Sequence, residues 1–198
     1  MKIAYLDIET DYVGPFNDKR LFRDHKNHNI TILGLRILDA EPDGESGVER
    51  ESGEQFFQFV GDDLSRENLL LTLGGVRRIV TYNGRSLPDD VKRSVGFDFP
   101  VIATHFGIVL DREFEHTDLV PECWRRGLYG GLKEVEKKLG LVRDLPGKDG
   151  LWAVQTWRKY CDTGDRKLLD EVLLYNREDV FMLRAVELKL QSIPPTVR

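Results

Sequence analysis

The sequence predicts an α/β domain built on a mixed β-sheet, with an α+β arrangement as the alternative. Short runs of β-branched and aromatic residues come first along the chain, and longer runs with helical spacing dominate its second half. With 198 residues, the chain is long enough for one domain with a sizeable core. We therefore expect residues 1–198 to form a single domain.

The predicted strands are short, rich in β-formers and bounded by turn residues. They are KIAYLDI (2–8), ITILGLRIL (30–38), VERES (48–52, at a sheet edge), RRIVTYN (77–83) and EHTDLV (115–120). The segment 11–29 carries Pro, Gly, Asn and several charges, which predicts a long loop insertion after the first strand.

The predicted helices are segments whose apolar residues recur at helical spacing. They cover 54–73 (as one or two helices), 97–107, 130–141, 150–160 and 165–190. Pro194 and Pro195 follow the last of them, and proline cannot continue a helix.

Composition narrows the class of protein. A formal net charge of −5 argues against a protein held to nucleic acid by bulk charge alone, although it leaves room for carboxylates neutralised by metal ions. Cys123 and Cys161 are the only cysteines, and their spacing suits neither a zinc site nor a disulfide framework. We expect a reduced, cytoplasmic protein without a signal peptide or a membrane span.

Two carboxylates stand at the predicted end of the first strand. Asp7 and Glu9 are two positions apart, so they point to the same face, while Leu6 and Ile8 point to the opposite, packed face. Two anions held this close repel each other, and Mg²⁺ or Mn²⁺ is the usual partner that makes such a pair favourable. A solvated loop capped by Asp7 is the alternative that this motif alone leaves open.

Two further motifs carry carboxylates. Tyr175 and Asp179 are four positions apart on the last predicted helix and so share one of its faces, which also suits a plain hydrogen bond between buried groups. Asp98 stands in FDFP, where it is either a helix cap or a side chain held firmly because the flanking aromatic residues are anchored in the core.

Taken together and in this order, the three motifs resemble the DEDDy pattern of the DnaQ-like 3′–5′ exonucleases, in the ribonuclease-H-like superfamily. TYNGRS before the second motif and YNREDV in the last are similar to the YprB-like branch of predicted exonucleases. The resemblance covers residues 3 to about 188. In many relatives the second-motif aspartate follows the Asn-Gly turn closely, so Asp89 or Asp90 is the alternative to Asp98.

The resemblance implies a ribonuclease-H-like fold, a central mixed sheet flanked by helices, and metal-dependent hydrolysis of single-stranded DNA or RNA. It implies two ions, Mg²⁺ or Mn²⁺, as cofactors. Their ligands would be Asp7, Glu9, Asp98 and Asp179, with Asp7 bridging both ions and Tyr175 orienting the nucleophile or helping to deprotonate it.

The resemblance also makes Thr10 and Asn83 candidates for contacting the substrate. A structure-selective endonuclease with the same site, or a catalytically weak nucleic-acid-binding domain, remains an alternative. No membrane partner is expected, and the sequence identifies no protein partner.

Overall fold

A five-stranded mixed sheet forms the centre of the molecule. In this computed structural model, residues 1–12, 24–42, 49–84 and 96–196 are described. The strands are β1 (Lys2–Tyr12), β2 (His28–Pro42), β3 (Glu49–Val60), β4 (Val76–Thr81) and β5 (Glu115–Asp118). Their spatial order is β3-β2-β1-β4-β5, with β2 antiparallel to both β1 and β3, and β4 parallel to both β1 and β5. The predicted α/β fold with a mixed sheet is confirmed.

Helices cover both faces of this sheet. Within the described residues they are α1 (Arg66–Thr72), α2 (Asp98–Phe106), α3 (Leu110–Glu113), α4 (Leu119–Trp124), α5 (Leu132–Lys138), α6 (Gly150–Thr163) and α7 (Arg166–Gln191). None of the described helices combines the length and the apolar character needed to cross a membrane.

The alternation of side chains along β1 divides the core into two layers. Ala4, Leu6 and Ile8 pack on one face together with residues of α1 and α2. Ile3 and Tyr5 pack on the other face against apolar residues of α7. Because side chains alternate with a period of two, Asp7 and Glu9 belong to the face that α7 covers.

A buried ionic cluster ties α7 to the sheet. Glu187 forms ion pairs with Arg78 of β4 at 2.7 Å and with Arg184 at 3.0 Å, and it accepts a hydrogen bond from the Tyr5 hydroxyl of β1. Buried charges are favourable only when they are paired and hydrogen-bonded in this way. The cluster fixes the position of α7 along β1, and therefore the position of its Tyr175–Asp179 segment.

The helix predicted from residue 54 is wrong for its first part, which belongs to β3. Phe57 and Phe59 point to the α1 and α2 layer, while Phe56 points to the α7 layer, so the period is two. Pairing with β2 therefore decides the structure of this apolar run, and after a short 3₁₀ helix (Gly61–Asp63) the α-helix begins only at Arg66. The short helices α3 and α4 were not predicted.

The first strand is longer than predicted. β1 continues through Tyr12 and β2 begins at His28, so Asp7 and Glu9 lie inside a strand, and the segment between the strands is shorter than 11–29. The register of β1 against β2 shifts between Glu9 and Thr10, which marks a β-bulge beside the carboxylates. Residues 13–23 of the predicted loop lie outside the described part of the chain.

Candidate metal centre

Three carboxylates from two distant parts of the chain meet over the sheet. Asp7 and Glu9 extend from β1, and Asp179 extends from α7; one ligand atom from each lies within 4.8 Å of the other two. Glu9 is 9% exposed and Asp179 is 6% exposed, so water screens their repulsion poorly. The alternation of side chains along β1 turns both Asp7 and Glu9 toward Asp179, as the predicted shared face of Asp7 and Glu9 requires.

The turn after β4 places a fourth carboxylate. The Asn83 carbonyl accepts a hydrogen bond from the Phe97 amide at 2.6 Å, and the Gly84 carbonyl accepts one from the Phe99 amide at 2.8 Å. These bonds satisfy amide groups at the start of α2, where Asp98 is the first helical residue. Asp98 is therefore anchored by backbone contacts on both sides, not by acting as a cap.

A carboxylate of β5 holds that turn in place. Asn83 has a left-handed backbone conformation with φ of 66°. Its amide donates to Asp118 Oδ1 at 2.9 Å, and the same oxygen accepts from the Val120 amide at the start of α4. Left-handed φ is unfavourable for most residues but is tolerated by asparagine. Asp118 thus links β5 to the turn that positions Asp98.

The buried carboxylates repel one another strongly. Burial and the charge of Asp179 raise the pKa of Asp7 well above its usual value, and burial with the charges of Asp7 and Asp179 does the same to Glu9. Burial raises the pKa of Asp98 as well, with Asp7 the largest charge acting on it. The site therefore favours either protons or a bound cation.

Asn176 orients the first carboxylate and was given no role by the sequence. This fully buried residue of α7 donates to Asp7 Oδ2 at 3.0 Å, and its own Oδ1 accepts from Gln58 of β3 at 3.0 Å. It fits because residue 34, which faces Asp7 across the β1–β2 pair, is a glycine. A Cβ at Gly34 would lie 2.3 Å from Asn176 Oδ1.

Gly34→Ala is expected to lower the free energy of unfolding by about 1–3 kcal/mol, because the added methyl group displaces Asn176 and Val180. Thermal or urea unfolding measures the effect. Gly150→Ala is the matched control, since a Cβ there meets nothing within 4 Å and alanine favours the first turn of α6. Equal stability of the two variants would show that α7 moves away from β2 at little cost.

Two cations lie against Asp179. Lys133 Nζ of α5 is 3.6 Å from Asp179 Oδ2, and Arg143 Nη1 is 2.5 Å from Asp179 Oδ1. The Arg143 contact is one of charge and not a directed hydrogen bond, since Asp179 Oδ1 has no hydrogen-bond partner within the described residues. The guanidinium also forms two hydrogen bonds with buried Glu136, at 2.5 and 2.6 Å. Neither cation was predicted from the sequence, because they come from elements distant from both motifs.

Tyr175 is buried beside these groups. Its hydroxyl accepts a hydrogen bond from Lys133 Nζ, and its ring lies 5.6 Å from that of Trp152. Burial and the charges of Asp179 and Glu9 raise the pKa of Tyr175. The hydroxyl is therefore protonated at neutral pH in this arrangement, and the proton it keeps is available to a hydrogen-bond acceptor.

A pocket of about 530 Å³ opens onto these residues. Its wall combines the carboxylates with apolar and aromatic side chains: Asp7, Ile8, Glu9, Thr10, Tyr12, Tyr82, Asn83, Phe97, Asp98, Gly150, Leu151, Val154, Tyr175 and Asp179. All seven residues singled out from the sequence line it. Asp89 and Asp90 lie outside the described part of the chain.

The side-chain chemistry of the site fits a divalent cation. Its donors are carboxylate oxygens, which suit hard ions such as Mg²⁺ and Mn²⁺. Asp98 Oδ2 and Asp179 Oδ1 are buried and have no hydrogen-bond partner within the described residues. A buried oxygen without a partner is costly, so Asp98 Oδ2 favours a bound cation, whereas Asp179 Oδ1 already lies 2.5 Å from Arg143 Nη1.

Comparison with known proteins adds an independent finding. A family model described as the RNase H superfamily (RNase_H_2) matches residues 4–191. No curated protein and no solved structure matches the chain. The matched range contains all of the carboxylates described above.

Proposed function

This chain belongs to the RNase H superfamily, and from that membership and its carboxylate cluster we propose that it is a metal-dependent 3′–5′ exonuclease acting on single-stranded DNA or RNA. The observation that carries the proposal is the meeting of Asp7, Glu9 and Asp179 within 4.8 Å, beside Asp98, on one pocket. The proposal treats residues 1–198 as one catalytic domain of the DnaQ-like DEDDy type, similar to the YprB-like branch.

The proposed ligands of two Mg²⁺ or Mn²⁺ ions are Asp7, Glu9, Asp98 and Asp179. Such ions supply charge neutralisation, an activated water and stabilisation of the leaving oxygen in phosphodiester hydrolysis. Two other residues of the chain orient these ligands. Asn176 fixes the Asp7 carboxylate by donating a hydrogen bond to Oδ2, and Arg143 fixes Asp179 through an ion pair.

Tyr175 is proposed to orient the attacking nucleophile. Lysine can only donate a hydrogen bond, so the Lys133 contact makes the tyrosine oxygen the acceptor and directs its O–H proton elsewhere. A raised pKa disfavours loss of that proton. Orientation by hydrogen bonding, rather than proton abstraction, is therefore the role that its surroundings support.

The apolar wall of the pocket supports an unpaired strand end as the substrate. Phe97 and Leu151 lie on the same pocket as the carboxylates, and Leu151 is 47% exposed. Apolar and aromatic surfaces stack on bases that have left the duplex. Thr10 and Asn83 are proposed to contact the sugar and phosphate of the terminal nucleotide.

Incubation with 5′-labelled oligomers tests the function. Single-stranded DNA and RNA of matched sequence, and their duplexes, are incubated with Mn²⁺, Mg²⁺ or EDTA, with an Asp7→Asn preparation as the control for contaminating nuclease. A metal-dependent ladder shortening from the 3′ end is expected. Discrete internal cuts would instead indicate an endonuclease, and binding without cleavage would indicate a nucleic-acid-binding domain.

Tyr175→Phe is expected to lower kcat by about tenfold to a hundredfold while leaving Mn²⁺ affinity nearly unchanged, because only the orienting hydroxyl is lost. Single-turnover cleavage and calorimetric Mn²⁺ titration measure the two quantities separately. Tyr160→Phe on α6 is the matched control. An unchanged kcat in Tyr175→Phe would reduce Tyr175 to a packing residue.

A further inference from the structure

Lys133 occupies an unusual place for a cation. Its Nζ lies 3.6 Å from Asp179 Oδ2, donates to the Tyr175 hydroxyl, and stands 4.2 Å from the centre of the Tyr175 ring. Its charge also acts favourably on Asp7 and Glu9. One ammonium group therefore offsets the repulsion among all three clustered carboxylates.

The two cations at Asp179 differ in how easily each can move away from its carboxylate. The Arg143 side chain is 9% exposed, and its Nε and Nη2 each donate a hydrogen bond to one carboxylate oxygen of Glu136. This double contact fixes the guanidinium in place. The Lys133 side chain is 27% exposed and reaches Asp179 through a flexible four-carbon stem. Lys133 also faces Oδ2, whereas Arg143 faces Oδ1.

We propose that Lys133 is the resident counter-ion of the metal centre, which stabilises the carboxylates in the metal-free protein and opposes the binding of a divalent cation to Asp179. The inference rests on the proposed function, since it concerns the same metal site. A cation that binds Asp179 Oδ2 is repelled by the positive charge of the ammonium and must displace it from that oxygen. The affinity for metal is thus set by a competition between Lys133 and the incoming ion.

The same contact makes Lys133 a positioning residue for Tyr175. While the ammonium remains on the tyrosine oxygen, the O–H proton is directed away from Lys133. Replacing the lysine therefore has two separable consequences. Metal binds more tightly, and the hydroxyl loses the contact that orients it.

Calorimetric titration with Mn²⁺ tests the competition. Lys133→Met is expected to bind Mn²⁺ about tenfold more tightly than the wild type, because a like charge has been removed. In EDTA the same variant is expected to melt about 2–4 °C lower, because the carboxylates have lost their counter-ion. Saturating Mn²⁺ is expected to remove this difference.

Two further variants separate the local effect from a change in net charge. Lys137→Met removes a charge from the same helix, where Lys137 is 73% exposed and pairs with Glu134, so Mn²⁺ affinity is expected to stay within twofold. Lys133→Arg keeps the charge and is expected to restore an affinity near that of the wild type.

The outcomes distinguish this inference from the proposed function. One outcome would refute the role of Lys133 as a counter-ion and still support the metal site. In that outcome the wild type binds Mn²⁺, Asp7→Asn does not, and Lys133→Met binds Mn²⁺ no more tightly than the wild type. Absence of Mn²⁺ binding by the wild type would overturn both. Equal tightening in Lys133→Met and Lys137→Met would show a non-specific charge effect and also overturn the inference.

Discussion

Asp7→Asn is expected to reduce phosphodiester hydrolysis by roughly a thousandfold or more while raising the melting temperature of the metal-free protein. The loss of activity follows from the loss of a carboxylate at the centre of the proposed ligand set. The gain in stability follows from removing a negative charge that is disfavoured first by burial and then by the repulsion of Asp179. Asparagine keeps the size of the side chain and retains an oxygen that accepts from Asn176.

The stability gained by Asp7→Asn in the metal-free protein is expected to grow as the pH rises. Asp7, Glu9 and Asp98 have raised pKa values in the folded protein. The folded state therefore binds protons that the unfolded state has already released, so stability falls as pH rises above about 4 and through the raised pKa values. Asp7→Asn is expected to flatten this decline and to add about 1 kcal/mol at pH 8 in EDTA.

Thermal unfolding in EDTA between pH 4.5 and pH 8, together with the cleavage assay, measures both effects. Asp62→Asn is the matched control, because Asp62 is exposed in the short 3₁₀ helix Gly61–Asp63 that follows β3 and does not line the pocket. Full hydrolytic activity in Asp7→Asn would refute the proposed site. A variant that melts below the wild type at pH 8 would show that Asp7 is stabilised by its surroundings and not repelled by them.

Arg143→Met is expected to lower the free energy of unfolding by about 3–5 kcal/mol, the largest effect on stability among these variants. Arg143 is the partner of Glu136, which is 1% exposed, and of Asp179. Burial alone lowers the pKa of Arg143, but the hydrogen bonds to Glu136 and the charges of Glu136 and Asp179 outweigh burial and raise it. Removing the guanidinium leaves both carboxylates buried without this partner.

Urea unfolding measures this loss. Arg77→Met is the control, since Arg77 pairs with Glu115 at 3.0 Å in a contact where both side chains are more than half exposed, and its loss is expected to cost less than about 1 kcal/mol. Adding Glu136→Met to Arg143→Met is expected to recover much of the stability, because an apolar pair replaces an unpaired charge. If Arg143→Met unfolds within 1 kcal/mol of the wild type, the pair is not a stabilising contact.

Local periodicity explains why the residues of each motif could be predicted to share a face. Asp7 and Glu9 face one way because side chains alternate along a strand, and this holds although β1 is longer than predicted. Tyr175 and Asp179 share a face because four residues make about one helical turn. Both relations depend on the backbone of a single element, so the sequence carries them.

The error at residues 54–60 shows where local periodicity fails. Phe56, Phe57 and Phe59 suit a helix or a strand as a short apolar run, and pairing with β2 decides between the two. Such a pairing joins segments distant in sequence, and its free energy is not a property of either segment alone.

The sequence by itself determined the fold class, the shared face of Asp7 and Glu9 on β1, and the shared face of Tyr175 and Asp179 on α7. Only the tertiary structure decided that Asn176 packs on Gly34 to orient Asp7, 169 residues away, and that Lys133 and Arg143 stand on either side of Asp179. Orientation within an element follows from backbone geometry over a few residues. Contacts between elements follow instead from the packing of whole faces, which no short stretch of sequence specifies.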